Sequence, residues 1–141
     1  MPDMTFARDG DLMILVHNTN DPSAADWARY CAAVKTAQRS DEPVIGLLVI
    51  SEAGGPNAKQ RAEVIEAFGP RRAPTAVCSN SALARGITTA IAWLYPKLMM
   101  SFRYEDVERA LDGLGIGRNR HATLLARVLE FQREIGAKPF R

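Results

Sequence analysis

The chain has few of the residues that cross-link a secreted domain or hold a metal ion. Its 141 residues include two cysteines, Cys31 and Cys78, and two histidines, His17 and His121. Two thiols in apolar segments are more typical of reduced, packed side chains than of a disulfide. The four residues also lack the spacing of zinc ligands. We therefore expect a cytoplasmic protein with no metal and no other cofactor.

Long hydrophobic segments are also missing. No apolar run approaches the roughly 18 residues that cross a bilayer as a helix. The first residues, MPDMTFARDGD, lack the apolar region of a signal peptide. We expect neither a transmembrane segment nor a signal peptide. With 47% hydrophobic and 24% charged residues, the composition is typical of one globular domain with a substantial core.

The net charge is small, but it is unevenly distributed. Residues 118–141 contain six bases and two acids and so carry +4, whereas the whole chain carries +2 and residues 1–117 therefore −2. Such a segment indicates a solvated helix face, or a contact with an acidic partner, nucleic acid or an anionic surface. No nucleic-acid motif or interleaved aromatic residue accompanies it, so nucleic acid is not the expected partner.

Strand-like and helix-like patterns alternate along the chain. Apolar runs at 12–16, 44–50, 74–78 and 98–102 predict strands, and a helical stripe of apolar residues follows each run. The dipeptide Asp9-Gly10 predicts a hairpin turn before the first run. The alternation predicts an α/β fold. We expect a single mixed, mostly parallel sheet of about five strands, with an N-terminal hairpin, flanking helices and an extra C-terminal helix.

Local signals predict two helix starts and one buried helix face. Asp21 followed by Pro22 is a favoured pair of N-cap and first helical residue. Asn57 is a capping residue for the helix after the second apolar run. The apolar residues of that helix recur at helical spacing and are predicted to face the core: Ala58, Ala62, Ile65 and Phe68.

The segment Ser51–Asn57 joins an apolar strand to a helix start, where open α/β sheets usually bind ligands. Its two glycines permit close approach of another group, and free N–H groups of the first helical turn can hold an anion. A phosphate loop would add a Lys-Ser/Thr pair, which Lys59-Gln60 is not. The segment predicts a tight connection, or a loop facing a ligand or partner. The candidate contacts are Ser51, Glu52, Gly54, Gly55 and Asn57.

A second polar segment, Cys78–Arg85, follows the next strand. A thiol at a helix start with an arginine one turn later is typical of a thiolate phosphatase loop. Here six residues separate Cys78 from Arg85 where that loop has five, and its glycines are missing. We interpret Cys78 as a core residue and Ser79 or Asn80 as a helix cap. The candidate contacts are Ser79, Asn80, Ser81 and Arg85.

The serines leave an enzymatic alternative open. A serine nucleophile needs a base within hydrogen-bond reach, and His17 follows a strand that could end at the same sheet edge. Glu52 or Asp106 could complete a Ser/His/acid set, although no nucleophile-elbow pattern supports one. His17 is more often an ordinary strand-end residue than a catalytic base.

Trp93 lies off the main apolar stripe of its helix, on the side of Ala82, Gly86 and Thr89. A tryptophan beside small residues favours a packing face for another helix or a second chain. A helix buried over a wide arc explains the pattern equally well. Trp93 is therefore the candidate interface residue, and a homodimer is an alternative to a monomer.

The order of elements over about Thr5 to Leu114 resembles the STAS-like domain of the sporulation anti-anti-sigma-factor type. The strand-turn-helix VISEAGG at 49–55 and the segment MMSFRYEDVERAL at 99–111 carry the resemblance. The family commonly has an Asp-Ser-Ser/Thr-Gly-type phosphorylation motif at the turn, where this chain has Ser-Glu-Ala-Gly-Gly. The resemblance therefore implies a binding module, and does not extend to a kinase-controlled switch at Ser51.

These expectations divide the chain into residues 1–116, a STAS-like domain, and residues 117–141, a helical extension packed on the domain or on a partner subunit. We expect a non-enzymatic regulatory or scaffolding module that binds a protein partner or a small ligand. The alternative is a small hydrolase or transferase whose site lies at the sheet edge formed by the Ser51–Asn57 and Ser79–Ser81 loops.

Overall fold

In a computed structural model, which describes residues 2–82, 85–86 and 98–141, the chain forms a five-stranded sheet with helices on both faces. The strands are β1 (Met4–Asp9), β2 (Leu12–His17), β3 (Gly46–Ser51), β4 (Thr75–Ser79) and β5 (Met99–Arg103). The helices with described bounds are α1 (Ala24–Arg39), α2 (Ala58–Phe68), α3 (Val107–Gly113) and α4 (His121–Glu134), with a 3₁₀ turn at Arg118–Arg120. The predicted α/β class is confirmed.

The sheet order is β1-β2-β3-β4-β5, with β1 antiparallel to β2 and all other neighbours parallel. Gly10 at the hairpin turn has φ 58°, which glycine adopts without strain. The predicted hairpin and mostly parallel sheet are therefore confirmed. Crossover connections between parallel strands of one sheet are almost always right-handed. The helices α1 and α2 accordingly lie on the same face of the sheet.

Alternation along β2 divides the core into two layers. Met13 and Leu15 pack with Trp27 and Val34 in the layer under α1 and α2. Leu12, Ile14 and Val16 pack in the opposite layer, under α3 and α4. Successive side chains of a strand point to opposite faces, so burial on both sides explains why this strand is an unbroken apolar run.

The C-terminal extension packs on the sheet of its own chain. Its apolar residues share a core layer with β2 and β3. The buried amide of Gln132 donates to Tyr104 Oη at 2.8 Å and accepts the Phe140 N–H at 3.1 Å. These bonds fix the residues after α4 against the same face. The division at residue 116 stays a prediction. The extension residues in this layer are Leu124, Leu125, Val128, Phe131, Ile135, Ala137 and Phe140.

The predicted start of α1 is wrong by two residues. The N-cap is Ser23, whose Oγ accepts the N–H of Asp26 at 3.1 Å. Asp21 instead accepts the N–H of Gly55 at 3.2 Å through Oδ1. Both residue types cap helices well, so the long-range bond of Asp21 decides which of them caps this one.

The cap of α2 is confirmed, but of its predicted buried face only Phe68 is buried. Asn57 and Gln60 form a reciprocal capping box. Ala58 and Ala62 are exposed, however, and Ile65 is 50% exposed. The helix is rotated so that its buried residues are Gln60 and Phe68, because Gln60 O accepts the indole N–H of Trp27 at 2.9 Å.

Candidate functional site at the carboxyl edge of the sheet

The four parallel strands end at one register. The last residue of β2 pairs with the last residue of β3, that one with the last of β4, and that one with the last of β5. Neighbouring strands lie about 4.8 Å apart, so the predicted loops after β3 and β4 are adjacent. We call these four residues the edge row, and they share the sheet face that α1 and α2 cover. They are His17, Ser51, Ser79 and Arg103.

The polar groups of the Ser51–Asn57 connection are bonded within the chain. Ser51 Oγ donates to the carbonyl of Gly54. Glu52 Oε1 accepts the backbone N–H of Lys138 at 2.9 Å. Asn57 is occupied by the capping box of α2. The connection therefore has the properties of a tight strand-to-helix link.

The close approach that Gly54 permits is made by the chain itself. A Cβ on Gly54 would lie 1.9 Å from the carbonyl oxygen of Asn20. The Gly54 N–H donates to the Asn18 carbonyl at 2.8 Å. A Cβ on Gly55 would meet no atom within 4 Å. The first glycine is thus required by the loop after β2, whereas the second is not required by space.

The segment after β4 combines a buried hydroxyl with exposed polar groups. Ser79 is fully buried, and its Oγ accepts the N–H of Ser81 at 3.0 Å. Arg85 Nη1 donates to the Ser79 carbonyl at 2.8 Å. Asn80 is exposed, and its N–H donates to the Ser51 carbonyl at 3.3 Å. The structure therefore brings the two predicted loops into direct contact.

Arg103 belongs to this edge although no sequence motif marks it. It ends β5, pairs in register with Ser79 and is exposed. The signal for it was its place directly after the fourth apolar run. Arg85 donates to the Ser79 carbonyl, so two arginine residues lie beside the end of β4.

His17 is fully buried, and neither ring nitrogen has a hydrogen-bond partner in the described part of the chain. Its ring stacks on Trp27, with centroids 6.2 Å apart and planes at 22°. Burial lowers the pKa of His17 to about 4, against a smaller opposing effect of the Asp21 charge. The imidazole is therefore neutral at pH 7 and has one donor and one acceptor nitrogen.

His121 is the opposite case. It is buried at the start of α4, with Nε2 2.9 Å from the Ile116 carbonyl and Nδ1 3.3 Å from Glu108 Oε1. One ring nitrogen thus faces an oxygen atom on α3, and the other faces an oxygen atom of the segment between α3 and α4. This histidine fixes the connection between the two helices and lies outside the edge row.

The predicted Ser/His/acid set is not assembled by hydrogen bonds among the described residues. His17 bonds neither serine nor acid. Glu52 is bonded to Lys138, and Asp106 lies 3.6 Å from Arg109 Nη1. The edge row places His17 and Ser51 side by side, but it supplies no orienting acid.

Both thiols are free, and burial raises their pKa values. Cys78 is buried in the layer under α3 and α4, away from Ser79, which faces the other layer. Burial, with a smaller effect of the Asp106 charge, raises its pKa to about 12. Burial and the Glu63 charge raise the pKa of Cys31 to about 11. The interpretation of Cys78 as a core residue is confirmed.

Other predictions are tested only within the described ranges. Trp93 lies outside them. Residues 2–82, 85–86 and 98–141 contain no group of three or more His, Cys, Asp and Glu side chains suited to a metal ion. No helix described there combines the length and hydropathy needed to cross a membrane.

The basic C-terminal segment faces acids of its own chain. Arg118 lies 3.4 Å from Asp112, and Arg120 lies 2.8 Å from Asp11. Arg127 lies 3.8 Å from Asp9. The charge asymmetry of the sequence is therefore balanced partly by intramolecular ion pairs.

No protein-family model and no curated protein matches the chain. Two solved structures of DspI from Pseudomonas aeruginosa are similar to it, with TM-scores of 0.40 and 0.39 and identities of 13% and 15%. The first similarity covers 56% of this chain and 41% of the DspI chain. In that comparison this chain therefore spans less than half of the length of the DspI chain. The second covers 97% and 76%. Similarity at this level carries no argument about function, and the STAS-like family stays a prediction.

Proposed function

We propose that the protein is a non-enzymatic, STAS-like regulatory or scaffolding module that binds an anionic segment of a protein partner at the carboxyl edge of its sheet. The observation that carries the proposal is that Arg85 and Arg103 are both neighbours of Ser79. The first donates to the Ser79 carbonyl at 2.8 Å, and the second is the register partner of the same residue.

The chemistry of these two side chains supports an anionic partner. A guanidinium group is always charged and donates paired hydrogen bonds to carboxylates and phosphates. Arg103 is exposed and makes no hydrogen bond or ion pair through its side chain in the described ranges. Exposed Asn80 adds an amide beside them. The edge therefore offers several donors to a docking segment.

The state of the nucleophile candidates supports a module without catalysis. A nucleophilic cysteine needs a lowered pKa, and a nucleophilic serine needs a base in hydrogen-bond contact. Burial raises the pKa values of both thiols. Ser51 donates its hydroxyl proton to the Gly54 carbonyl. These groups act as packing and turn-forming residues.

The experiment is a titration of the isotope-labelled protein with a glutamate-rich peptide, followed by backbone amide NMR. We expect saturable shifts at Asn80, Ser81 and Arg103. The double variant R85E/R103E should bind at least about tenfold more weakly, since each charge-assisted bond contributes about 1.5–3 kcal/mol. Arg39→Glu is the matched control, because Arg39 is exposed in the last turn of α1. Equal weakening by the control, or shifts confined to residues 118–141, would contradict the proposal.

A small hydrolase or transferase is the second candidate, and the edge row is the observation that favours it. A neutral imidazole on β2 lies one strand from the Ser51 hydroxyl. A base beside a hydroxyl is the arrangement that nucleophilic catalysis uses. The test is hydrolysis of p-nitrophenyl acetate and p-nitrophenyl phosphate by wild type, Ser51→Ala and His17→Phe. Turnover lost in both variants favours the enzyme, and rates equal to buffer exclude it for these ester classes.

Two further parts of the proposal concern assembly and compartment. A homodimer would have twice the 15.5 kDa mass of the chain. Size-exclusion chromatography with light scattering measures that mass. The two free thiols fit a reducing compartment such as the cytoplasm, and cell fractionation tests that placement.

A further inference from the structure

His17 presents a problem of hydrogen bonding that the proposed partner surface does not solve. A buried polar group without a partner costs free energy, and native proteins rarely leave one unpaired. Both nitrogens of this ring lack a protein partner, and the residue is 0% exposed. The other residues on its side of β2, Met13 and Leu15, are apolar.

Of the polar groups on the elements around the ring, those of Trp27 and Gln60 already have partners, whereas the buried Tyr30 hydroxyl on α1 has none among the described residues. The Trp27 indole N–H donates to the Gln60 carbonyl at 2.9 Å. The Gln60 side chain bonds the Pro22 carbonyl and the Asn57 N–H. Ser51 donates its proton to Gly54 and keeps lone pairs that can accept. The ring thus stacks on Trp27 and lies one strand from the Ser51 hydroxyl, which can still accept. No protein group in the described part of the chain hydrogen-bonds the ring.

The chemistry of the flanking groups selects the partner. A neutral imidazole needs one acceptor for its N–H and one donor for its other nitrogen. Within residues 2–82, 85–86 and 98–141 no cation pairs with the ring to balance an anion, and the acid whose charge acts on the ring, Asp21, is bonded to Gly55. A charged guest would lose its hydration without compensation. The guest is therefore uncharged and both donates and accepts.

We infer that His17 hydrogen-bonds a small uncharged guest, either water or an amide or alcohol of similar polarity, enclosed between α1 and the carboxyl ends of β2 and β3. Buried waters commonly satisfy such groups, and this sheet edge is the place where α/β proteins bind ligands. The inference is independent of the partner surface at Arg85 and Arg103.

The test is long-range ¹H–¹⁵N NMR of the histidine rings in the wild-type protein at pH 7. We expect His17 to be a single neutral tautomer whose two nitrogens both have the shifts of hydrogen-bonded imidazole. Acetamide is the probe that separates the two sources. Saturable movement of both resonances identifies an organic guest, whereas unchanged resonances with a cross-relaxation peak to water identify water. Either result supports the inference.

A His17 nitrogen with the shift of an unbonded ring, or a protonated ring at pH 7, would overturn it. His17→Phe gives an independent readout, because it keeps an aromatic ring against Trp27 and removes both nitrogens. If the nitrogens are unpaired in the wild type, removing them raises the melting temperature. If a guest pairs them, the melting temperature is unchanged or lower. A rise would therefore contradict the inference.

Discussion

Arg120 Nη1 lies 2.8 Å from Asp11 Oδ1, across 109 residues of sequence. The same guanidinium donates to the Asp9 carbonyl at 3.2 Å. The hairpin at the start of the chain and the turn before α4 are therefore held together by one side chain. This pairing places a base of the +4 segment against an acid of the −2 segment.

The first prediction concerns this pair. Asp11→Asn and Arg120→Gln should each destabilise the protein, with a coupling of about 0.5–1 kcal/mol in a double-mutant cycle. The side chains are 42% and 33% exposed, so solvent screens them and limits the effect. Urea unfolding at 50 mM and 500 mM salt measures it, and salt should reduce the coupling. Arg118 and Asp112, 80% and 43% exposed, are the control pair. Strictly additive effects at Asp11 and Arg120 would contradict the prediction.

The second prediction concerns pH. Burial lowers the pKa of His17 to about 4 in the fold from its ordinary value of 6.5. The unfolded state therefore binds the extra proton between these values, and stability falls as pH falls from 6.5 to 4. The loss attributable to this group is about 3 kcal/mol by pH 4. Urea unfolding of wild type and His17→Phe at several pH values measures it. Parallel pH profiles for the two proteins would show that His17 does not contribute.

The third prediction separates the two adjacent glycines. Gly54→Ala should lower the free energy of unfolding by about 2 kcal/mol or more, because its Cβ would overlap the Asn20 carbonyl. Gly55→Ala should leave it within about 1 kcal/mol or raise it, because the added carbon meets nothing and the unfolded chain loses entropy. Thermal and urea unfolding of both variants measure this. Similar losses for the two variants would refute the assignment of Gly54 to close packing.

The fourth prediction concerns the C-terminal tail. Gln132→Leu should cost about 1–3 kcal/mol, because it leaves the Phe140 N–H without its acceptor and Tyr104 without its donor. Hydrogen exchange of the Phe140 amide should accelerate more than exchange in β2. Glu130→Leu, at an exposed position on the same helix, is the control. Unchanged protection of Phe140 in the Gln132 variant would contradict the expected role.

Local chemistry predicted the elements, because each element is decided by neighbouring residues. Burial on both faces makes β2 and β3 unbroken apolar runs, and the Asp9-Gly10 turn and the Asn57 cap rest on single residues. The rotation of α2 was not predictable in this way. Ala58 and Ala62 are compatible with either a buried or an exposed face, and the Trp27 bond that orients the helix joins residues 33 apart.

The candidate site was predictable as two loops, but its alignment was not. Side-chain alternation indicates which face a residue occupies, and it does not indicate which residues of neighbouring strands pair. The register that aligns His17 with Ser51 depends on residues far apart in the sequence. So does the absence of a hydrogen-bond partner for the imidazole in the described part of the chain. The sequence marked His17 as a strand-end residue and a candidate base, whereas its full burial without a hydrogen-bond partner is seen only in the structure.

The hydrogen bond from the Lys138 N–H to Glu52 fixes the segment after α4 against the connection that follows β3. These residues are 86 apart in sequence, and the Asn18 amide adds a bond to the Ile135 carbonyl at 3.1 Å. Residues 135–138 therefore hold the loops after both β2 and β3 in place. A change that displaces Ile135 or Lys138 is therefore, in physical terms, a perturbation of the sheet edge.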